Sequence, residues 1–457
     1  MTSVARAIGA VLACGLGTAC ATGGATRPAL PQGDSGHKSY ILPVIEIVAM
    51  DAGVNRAASL LLDPATFRVA PESIRSNLRG PWVVDDDPFQ INQFGHPYQG
   101  AMYHGIARSN GLSYWPSVVY TFAGSALWEI AGETTPPSAN DQIASGIAGS
   151  FLGEPLFRIS RLLLERADNG PGAWRALASV LASPPTGINH FLVGNPAGSP
   201  RSDAVPFSDI RVQFGATAIP SSRSRTGYSL ALDQPRLALS MDYGYPGNAS
   251  YRHEHPFDYF RIESSVSGEG MEHLSTRGLI AGTDYGAGRL DGIWGLYGTY
   301  DYFSPDDFRF SSTAASFGTT LQAPIAGSLV LQSSGLVGGG YVATHSEGQP
   351  DDFHYGVAPQ ALVNLRLIAG RRAAVDLTAR EYFVSGLGGF GTGQRDLIFV
   401  GDAWLAVRVY RRHGLALTYQ RAGRSSDYLE LPDQTRARST VGVFYTFLGS
   451  GGFGAVQ

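Results

Sequence analysis

Histidines and carboxylates with spacings suited to acid–base chemistry are concentrated between residues 96 and 154. Glu129 and Glu133 are four residues apart, and so are His104 and Arg108, so each pair would share one face of a helix. A histidine beside a carboxylate that orients it is the usual arrangement for a general base. The candidate catalytic residues are therefore His96, His104, Glu129, Glu133 and Asp141.

Two kinds of chemical site can be built from these residues. The first is a hydrolase or transferase acting on lipid or cell-wall material, but no serine here lies in a Gly-x-Ser-x-Gly turn. The second is a metal site made by His96, His104 and Glu129, which lacks the His-Glu-x-x-His spacing. The serines available as nucleophiles are Ser109, Ser117 and Ser125.

A structural role for the same residues is the favoured alternative. A buried charge is costly unless it is paired, so the acids of this region would be expected to bind its arginines, such as Arg161, and its amides. The two histidines could simply donate to carbonyl groups. The predicted structural network consists of Asp86, Asn92, Arg108, Asn140, Glu154 and Arg158.

The segment that holds these residues has a helical pattern from about Tyr40 to Val193. Apolar residues recur three and four positions apart between Val54 and Leu62, as on one helix face. Ser138 is a good N-cap, with Asp141 in the capping-box position. The helix that follows carries glycines at 146, 149 and 153, which would let another backbone approach closely.

Residues 81–161 resemble a bacterial family known as domain of unknown function 3943. The resemblance implies an envelope protein of Gram-negative bacteria and no established activity. The motifs that carry it are Trp82, Asp-Asp-Asp-Pro-Phe at 85–89, Gly-His-Pro-Tyr-Gln-Gly at 95–100, Tyr-His at 103–104, Ala-Arg-Ser-Asn-Gly at 107–111, Gly-Ser-Ala-Leu-Trp-Glu at 124–129 and Pro-Ser-Ala-Asn-Asp at 137–141.

Beyond Pro206 the hydrophobic period changes to two. Apolar and polar side chains alternate over about ten residues at a time, for example from Ala373 to Arg380, and this is typical of strands in a transmembrane barrel. A soluble sandwich, the alternative, usually has shorter strands. About twelve segments begin near Ile210, Ser229, Tyr259, His273, Gly292, Phe310, Leu329, Tyr355, Ala373, Leu397, Leu415 and Ser439.

The connections between these segments alternate in length, with short periplasmic turns and long outer loops, as expected for such a barrel. Two connections disobey the rule: residues 245–257 are too many for an inner turn, and residues 268–272 are too few for an outer loop. We therefore expect one strand to be misplaced there. The side chains expected inside the barrel are Arg211, Gln213, Asp376, Arg380, Arg408 and Gln420.

The N-terminus and the composition agree with export to the envelope. Residues 1–21 are predicted to be a signal peptide and residues 22–39 a flexible linker, with lipidation of Cys14 or Cys20 as an alternative. Only 16% of residues are charged, and 58 are glycine. The net charge of −4 gives no support for a nucleic-acid partner.

The sequence thus predicts a helical domain at 40–195 followed by a closed antiparallel transmembrane β-barrel of about twelve strands at 206–450. The expected location is the outer membrane, with the helical domain periplasmic or in the barrel lumen, and the expected partners are membrane lipid and lipopolysaccharide. No cofactor is indicated: the glycine-rich stretch 386–393 lacks the Gly-Lys-Ser/Thr of a phosphate loop. A non-catalytic envelope, scaffold or transport-accessory role is favoured. A lipid-modifying enzyme and a narrow diffusion channel are the alternatives.

Overall fold

The computed structural model describes most of the chain after residue 37. The predicted signal peptide, the two cysteines and Asp86 lie outside the described residues, as does nearly all of the predicted linker. The chain divides into two compact units, one helical and one a barrel, which are described separately. The described residues are 38–62, 64–85, 87–165, 172–192, 208–222, 228–305, 308–346, 353–386, 395–427 and 432–456.

Short and medium-length helices make up the first unit. Two π-helical turns, Ile91–Gly95 and Ala144–Ala148, interrupt the helices that they adjoin. None of the described helices is both long enough and apolar enough to cross a membrane. The α-helices of the described residues are α1 (Leu42–Leu61), α2 (Pro64–Phe67), α3 (Pro71–Arg79), α4 (His96–Ser109), α5 (Tyr114–Ala131), α6 (Ala139–Ile143), α7 (Gly149–Glu165), α8 (Ala173–Ala182) and α9 (Pro184–Leu192).

Glycine allows α4 and α7 to pack backbone against backbone. A Cβ atom added to Gly149 would lie 2.6 Å from the Cα atom of Gly100, and one added to Gly153 would lie 2.7 Å from the Cβ atom of His104. Real side chains do not approach so closely, so these positions are restricted to glycine by packing. The close helix contact predicted from the glycine spacing is confirmed.

Helix α1 buries a different face from the one that its apolar pattern suggested. Val54 and Leu61 are exposed, whereas Ile47 and Asp51 are buried. The buried face is set by polar partners: the Tyr103 hydroxyl donates to Asp51, and the Asn55 amide donates to the carbonyls of Phe67 and Gly132. Of the apolar residues in the predicted pattern only Ala58 is buried, so the periodicity predicted the helix but not most of its buried face.

The second unit is a closed antiparallel barrel of twelve strands, in which each strand pairs with its neighbours in sequence and β1 pairs with β12. The predicted fold class and strand number are confirmed. The strands are β1 (Ser208–Ser222), β2 (Tyr228–Tyr243), β3 (Phe260–Ser267), β4 (Gly270–Ala287), β5 (Leu290–Phe303), β6 (Phe308–Ala326), β7 (Leu329–Ser346), β8 (Phe353–Ala369), β9 (Ala373–Gly386), β10 (Arg395–Tyr410), β11 (His413–Asp427) and β12 (Gln434–Leu448).

The expected misplaced strand does not exist. Residues 244–259 form a long connection between β2 and β3, and only two residues join β3 to β4. We call residues 244–259 the inner connection. It is long because it turns back into the barrel, where Tyr245, Phe257 and Tyr259 are fully or almost fully buried. The connection is long because it fills space inside the barrel, and the rule that periplasmic turns are short does not take this into account.

Alternate residues of β9 show how the lumen is filled from one end to the other. Ala374 belongs to an apolar cluster at the end with short turns, together with Phe453 of the C-terminal tail, residues 449–456. Asp376 belongs to a layer of ion pairs in the middle. Tyr382 and Val384 belong to an aromatic cluster at the other end. The lumen thus has a layered core, of which the sequence predicted only the polar middle.

Candidate functional site

The candidate residues of the helical unit separate into two buried clusters. His96 and His104 both lie on α4, eight residues apart, which corresponds to about 12 Å along a helix axis. Catalytic partners must come within hydrogen-bond reach, so the two histidines do not serve one site. The metal site of His96, His104 and Glu129 considered from the sequence is therefore not formed.

The first group, the Glu154 cluster, consists of His104, Arg108, Glu154 and Arg158. Glu154 lies on α7 and accepts from His104 Nε2 at 3.0 Å, from Arg108 Nε at 2.7 Å and from Arg158 Nε at 2.9 Å. The Arg108 guanidinium also stacks over the Phe157 ring, 4.6 Å from its centroid. His104 and Glu154 are fully buried. Helices α4 and α7 are therefore joined by a charged network that is fully paired at Glu154.

Charge compensation determines the protonation states in the Glu154 cluster. Burial alone would raise the pKa of Glu154, but Arg108, His104 and Arg158 outweigh it and hold that pKa below its usual value. The pKa of His104 is lowered by burial, and Glu154 only partly opposes this shift. A neutral His104 that donates from Nε2 to an ionised Glu154 fits both shifts.

The second group, the His96 cluster, consists of His96, Glu129 and Asp141. His96 lies at the start of α4, Glu129 near the end of α5 and Asp141 in the first turn of α6. One ligand-type atom from each residue lies within 4.8 Å of the others, and His96 Nε2 is 3.5 Å from Asp141 Oδ2. The three residues are only 2–5% exposed. Three separate helices thus bring a nitrogen and two carboxylates to one buried point.

Amide groups and a cap hold the His96 cluster in place. The Ser138 backbone N–H donates to Glu129 Oε2 at 2.8 Å, and the Ser138 hydroxyl accepts from the Asp141 N–H, as the predicted cap requires. Asn140 Nδ2 donates to Asp141 Oδ1 at 3.2 Å and to Asp85 Oδ1 at 2.9 Å. Asn92 donates to the same Asp85 oxygen. Asp85, in the Asp-Asp-Asp-Pro motif, was missed as a site residue, although the motif itself was noted.

The charged groups that shift the pKa values of the acids in the His96 cluster are other carboxyl groups. Burial raises the pKa of Glu129 to about 8, and Glu133, Asp85 and Asp87 add to the shift. The pKa of Asp141 is raised well above its usual value by burial and by Asp85. Burial also lowers the pKa of His96. Burial among other carboxyl groups therefore favours the protonated form of both acids.

Glu133 does not share a helix face with Glu129 as the four-residue spacing suggested. Helix α5 ends at Ala131, and Glu133 lies in the following turn. Its carboxylate accepts from Trp128 Nε1 at 2.8 Å and from the Thr135 hydroxyl at 3.0 Å. The four-residue spacing did not apply because the helix ends at Ala131 and is capped by Gly132, before Glu133.

None of the candidate serines is activated by a histidine. The hydroxyls of Ser109 and Ser117 donate to carbonyls of their own chain segments, at Ile106 and Ser113. The hydroxyl nearest to the His104 ring belongs to Thr121, and it donates to the Ser117 carbonyl. A serine nucleophile beside a histidine base is therefore not assembled in the described part of the helical unit.

A separate polar site fills the middle of the barrel lumen. Arg366 donates to Asp242 at 2.9 Å and to Asp376 at 2.8 Å, and Arg261 donates to Asp376 at 3.2 Å. Arg380 binds Asp402 at 3.3 Å. A cavity of about 170 Å³ lies beside this layer. Of the residues expected inside the barrel, Arg211 pairs with Asp376 and Gln420 donates to Asp402, so both belong to this layer. Arg408 instead donates to the carbonyl of Gly451 in the C-terminal tail.

These features define the class: an outer-membrane type of β-barrel preceded by a helical unit with two buried polar clusters. Residues 81–185 match the model of the domain of unknown function DUF3943, so the resemblance noted over residues 81–161 is confirmed. No curated protein matches the sequence significantly.

Several solved outer-membrane proteins match about half of the chain. The in-vitro folded OmpT of Vibrio cholerae is 6% identical over 53% of this chain and 97% of its own, with a TM-score of 0.23. An anion-selective porin of Comamonas acidovorans is 9% identical over 53% and 99%, with a TM-score of 0.21. The channel DcaP of Acinetobacter baumannii is 8% identical over 53% and 96%, with a TM-score of 0.21. Similarity at this level says nothing about what this chain binds or transports.

Proposed function

We propose that this chain is an integral outer-membrane protein whose barrel is closed to diffusion and which carries its helical unit on the periplasmic side. Its role would be that of a non-catalytic envelope component, as a scaffold or a transport accessory. The observation that carries the proposal is a barrel that is apolar outside and filled inside by its own residues.

The outward side chains of the barrel suit a hydrocarbon environment. Val375, Leu377, Leu405 and Leu417 face outward and are exposed. A water-soluble barrel would place polar groups at such positions, whereas a lipid-facing wall requires apolar ones. Further exposed apolar side chains at outward positions are Phe214, Trp294, Phe317, Val337, Val363, Leu365, Phe399, Val407, Leu415, Val443 and Tyr445.

Charged outward residues are placed where lipid head groups would be. Glu381 and Arg421 are exposed on β9 and β11, and both lie in the half of the strand farther from the short turns. In this class of barrel the long loops are extracellular, so these residues would lie near the outer boundary of the membrane. Lipid and the phosphates of lipopolysaccharide are the partners that we propose for this surface.

The filled lumen supports a closed barrel rather than a diffusion channel. The inner connection and the C-terminal tail occupy the end with short turns, and the tail is fixed where Gln322 donates to the Val456 carbonyl at 2.9 Å. The ion-pair layer and the aromatic cluster occupy the rest. The cavity of about 170 Å³ has room for several water molecules but does not amount to a pore.

The chain order supports the periplasmic side as the place of the helical unit. Strand β1 begins at the end with short turns, which is periplasmic in this class of barrel, and the helical unit precedes β1 in the chain. An enzymatic role receives less support, because His96 and His104 are buried in separate clusters and neither contacts a candidate serine.

Conductance in planar lipid bilayers tests the proposal. The full-length protein should insert without producing current steps. Tyr243 and Phe260 are paired residues of β2 and β3, so the inner connection can be replaced by a two-residue Asn-Gly turn without changing the register. This variant removes one of the two segments that close the barrel and is expected to leak more than the wild type.

Insertion must be established separately from conductance. Heat-modifiable mobility in electrophoresis reports a folded barrel for both proteins, and fractionation of cells reports the outer membrane. Regular current steps from the folded wild type, equal to those of the shortened variant, would support the channel and exclude a closed barrel.

A further inference from the structure

The His96 cluster has the composition of a transition-metal site. An imidazole nitrogen with carboxylate oxygens suits Zn²⁺ and its neighbours in the first transition row, whereas Ca²⁺ prefers oxygen ligands alone. Zn²⁺ binds nitrogen and oxygen at about 2.0–2.2 Å, which places neighbouring ligands in a tetrahedron about 3.4 Å apart. The observed 3.5 Å between His96 Nε2 and Asp141 Oδ2 matches that separation.

Two buried atoms in the cluster have no hydrogen-bond partner in the described residues. They are Oε1 of Glu129 and Nδ1 of His96, and the side chains that carry them are more than nine-tenths buried. Nδ1 is not the ring nitrogen that faces Asp141, so Glu129 Oε1 is the atom that points to a ligand at this site. A buried polar atom left without a partner costs about 1–3 kcal/mol. Glu129 Oε2 is already used by the Ser138 N–H, so Oε1 is the oxygen left for a ligand.

Carboxyl groups are crowded around this point. Asn140 Nδ2 donates to Asp141 Oδ1 and to Asp85 Oδ1, so the carboxyl group of Asp85 lies beside those of the cluster. In the Glu154 cluster two arginines bind the buried acid. A bound dication would compensate the acids of the His96 cluster in the same way.

We propose that His96, Glu129 and Asp141 bind one divalent transition-metal ion, with Zn²⁺ as the best-fitting probe. The ion joins the starts of α4 and α6 to the end of α5. Asn140 orients Asp141 and also binds Asp85, so it is a positioning residue and not a ligand. The site lies in the matched domain, and its three protein ligands leave the fourth position of a tetrahedron for water.

Titration of the chelator-treated, full-length protein in detergent with Zn²⁺ alone tests the site. Isothermal calorimetry should show one equivalent bound. His96→Gln and Glu129→Gln should each weaken binding by more than the ~10–100-fold expected when a group that merely orients a ligand is lost. Asn140→Ala should fall within that smaller range. His255→Gln is the matched control, because this histidine is exposed in the inner connection and distant in sequence.

A second readout separates metal binding from folding. Zn²⁺ should raise the urea midpoint of the helical circular dichroism signal in the wild type and in His255→Gln, but not in Glu129→Gln. Glu129→Gln is isosteric and keeps the acceptor for the Ser138 N–H, so it decides the question if His96→Gln fails to fold. The proposal is overturned if the wild type binds neither Zn²⁺ nor Mn²⁺ stoichiometrically. It is also overturned if Glu129→Gln binds Zn²⁺ as the wild type does, since that places the ion elsewhere.

Discussion

The two buried clusters of the helical unit share helix α4 but solve the burial of acids in opposite ways. Two arginines and a histidine hold the pKa of Glu154 below its usual value, whereas burial beside other acids raises the pKa of Glu129 and of Asp141. The difference teaches that burial alone does not determine the charge of a carboxyl group. The charged side chains nearest to a buried carboxyl group decide whether it belongs to a charge-compensated structural network or to a site that can bind a cation.

Removing the acid from the compensated cluster should have the largest effect. Glu154→Gln leaves Arg108 buried without the carboxylate that it binds, which typically costs about 3–5 kcal/mol. The measurement is the free energy of urea unfolding of the full-length protein in detergent, followed by helical circular dichroism. A loss below about 1 kcal/mol would show that the network contributes little.

Asp51 offers a test of an acid without a cationic partner. Burial raises its pKa to about 7, although the Tyr103 hydroxyl, which donates to Asp51, and the neighbouring Gln99 amide oppose the shift. The folded state therefore holds a proton that the unfolded state releases near pH 4, so this contribution is present at low pH and is lost as the pH rises towards 7.

The predicted size of the Asp51 effect is about 3 kcal/mol between about pH 5 and about pH 8. Asp51→Asn should remove that part of the pH dependence and still accept from the Tyr103 hydroxyl. Urea unfolding of both proteins across this range measures the difference. Identical pH profiles for the two proteins would show that Asp51 is ionised when folded.

The close backbone contact between α4 and α7 can be disturbed by adding one methyl group. Gly149→Ala would place a Cβ atom 2.6 Å from Gly100 and should cost about 1–3 kcal/mol. Gly53→Ala is the matched control, because nothing lies within 4 Å of its Cβ position on α1, and it should stabilise the helix by up to ~1 kcal/mol. Thermal unfolding of the two variants should therefore shift in opposite directions.

Glu129→Gln should have the smallest effect on stability in the absence of metal. With a pKa of about 8 the carboxyl group is already protonated near pH 7, so an amide of the same shape should change the unfolding free energy by less than about 1 kcal/mol. Urea unfolding in a chelating buffer checks this. A loss as large as that of Glu154→Gln would mean that the two clusters do not differ in charge.

The barrel could be predicted from the sequence because alternation is a local property of each strand. Val375 and Leu377 face outward, as expected from their positions beside Asp376. The inner connection could not be predicted, because its contacts with strands such as β4 and β5 are non-local. Its excess length was visible, but the turn rule attributed it to a misplaced strand.

The sequence predicted which residues could form the site, but not which of them lie together. His96, Glu129 and Asp141 were all identified, yet His104 was grouped with them because the sequence did not show that both histidines lie on one continuous helix. The eight-residue spacing of the two histidines was enough to separate them once α4 was known to be one helix. Asp141 joined the site through the packing of α6, which only the structure shows.

The filled lumen also has a consequence for how the barrel assembles. Gln322 and Gln332 bind the tail at Val456 and Gly454, more than 120 residues away in the chain. In an empty barrel, hairpins between neighbouring strands and one pairing of the first and last strands complete the fold, but here the last residues must also dock inside the barrel. Closure of the seam and formation of the core become one high-contact-order event, so we expect folding to be slow and highly cooperative.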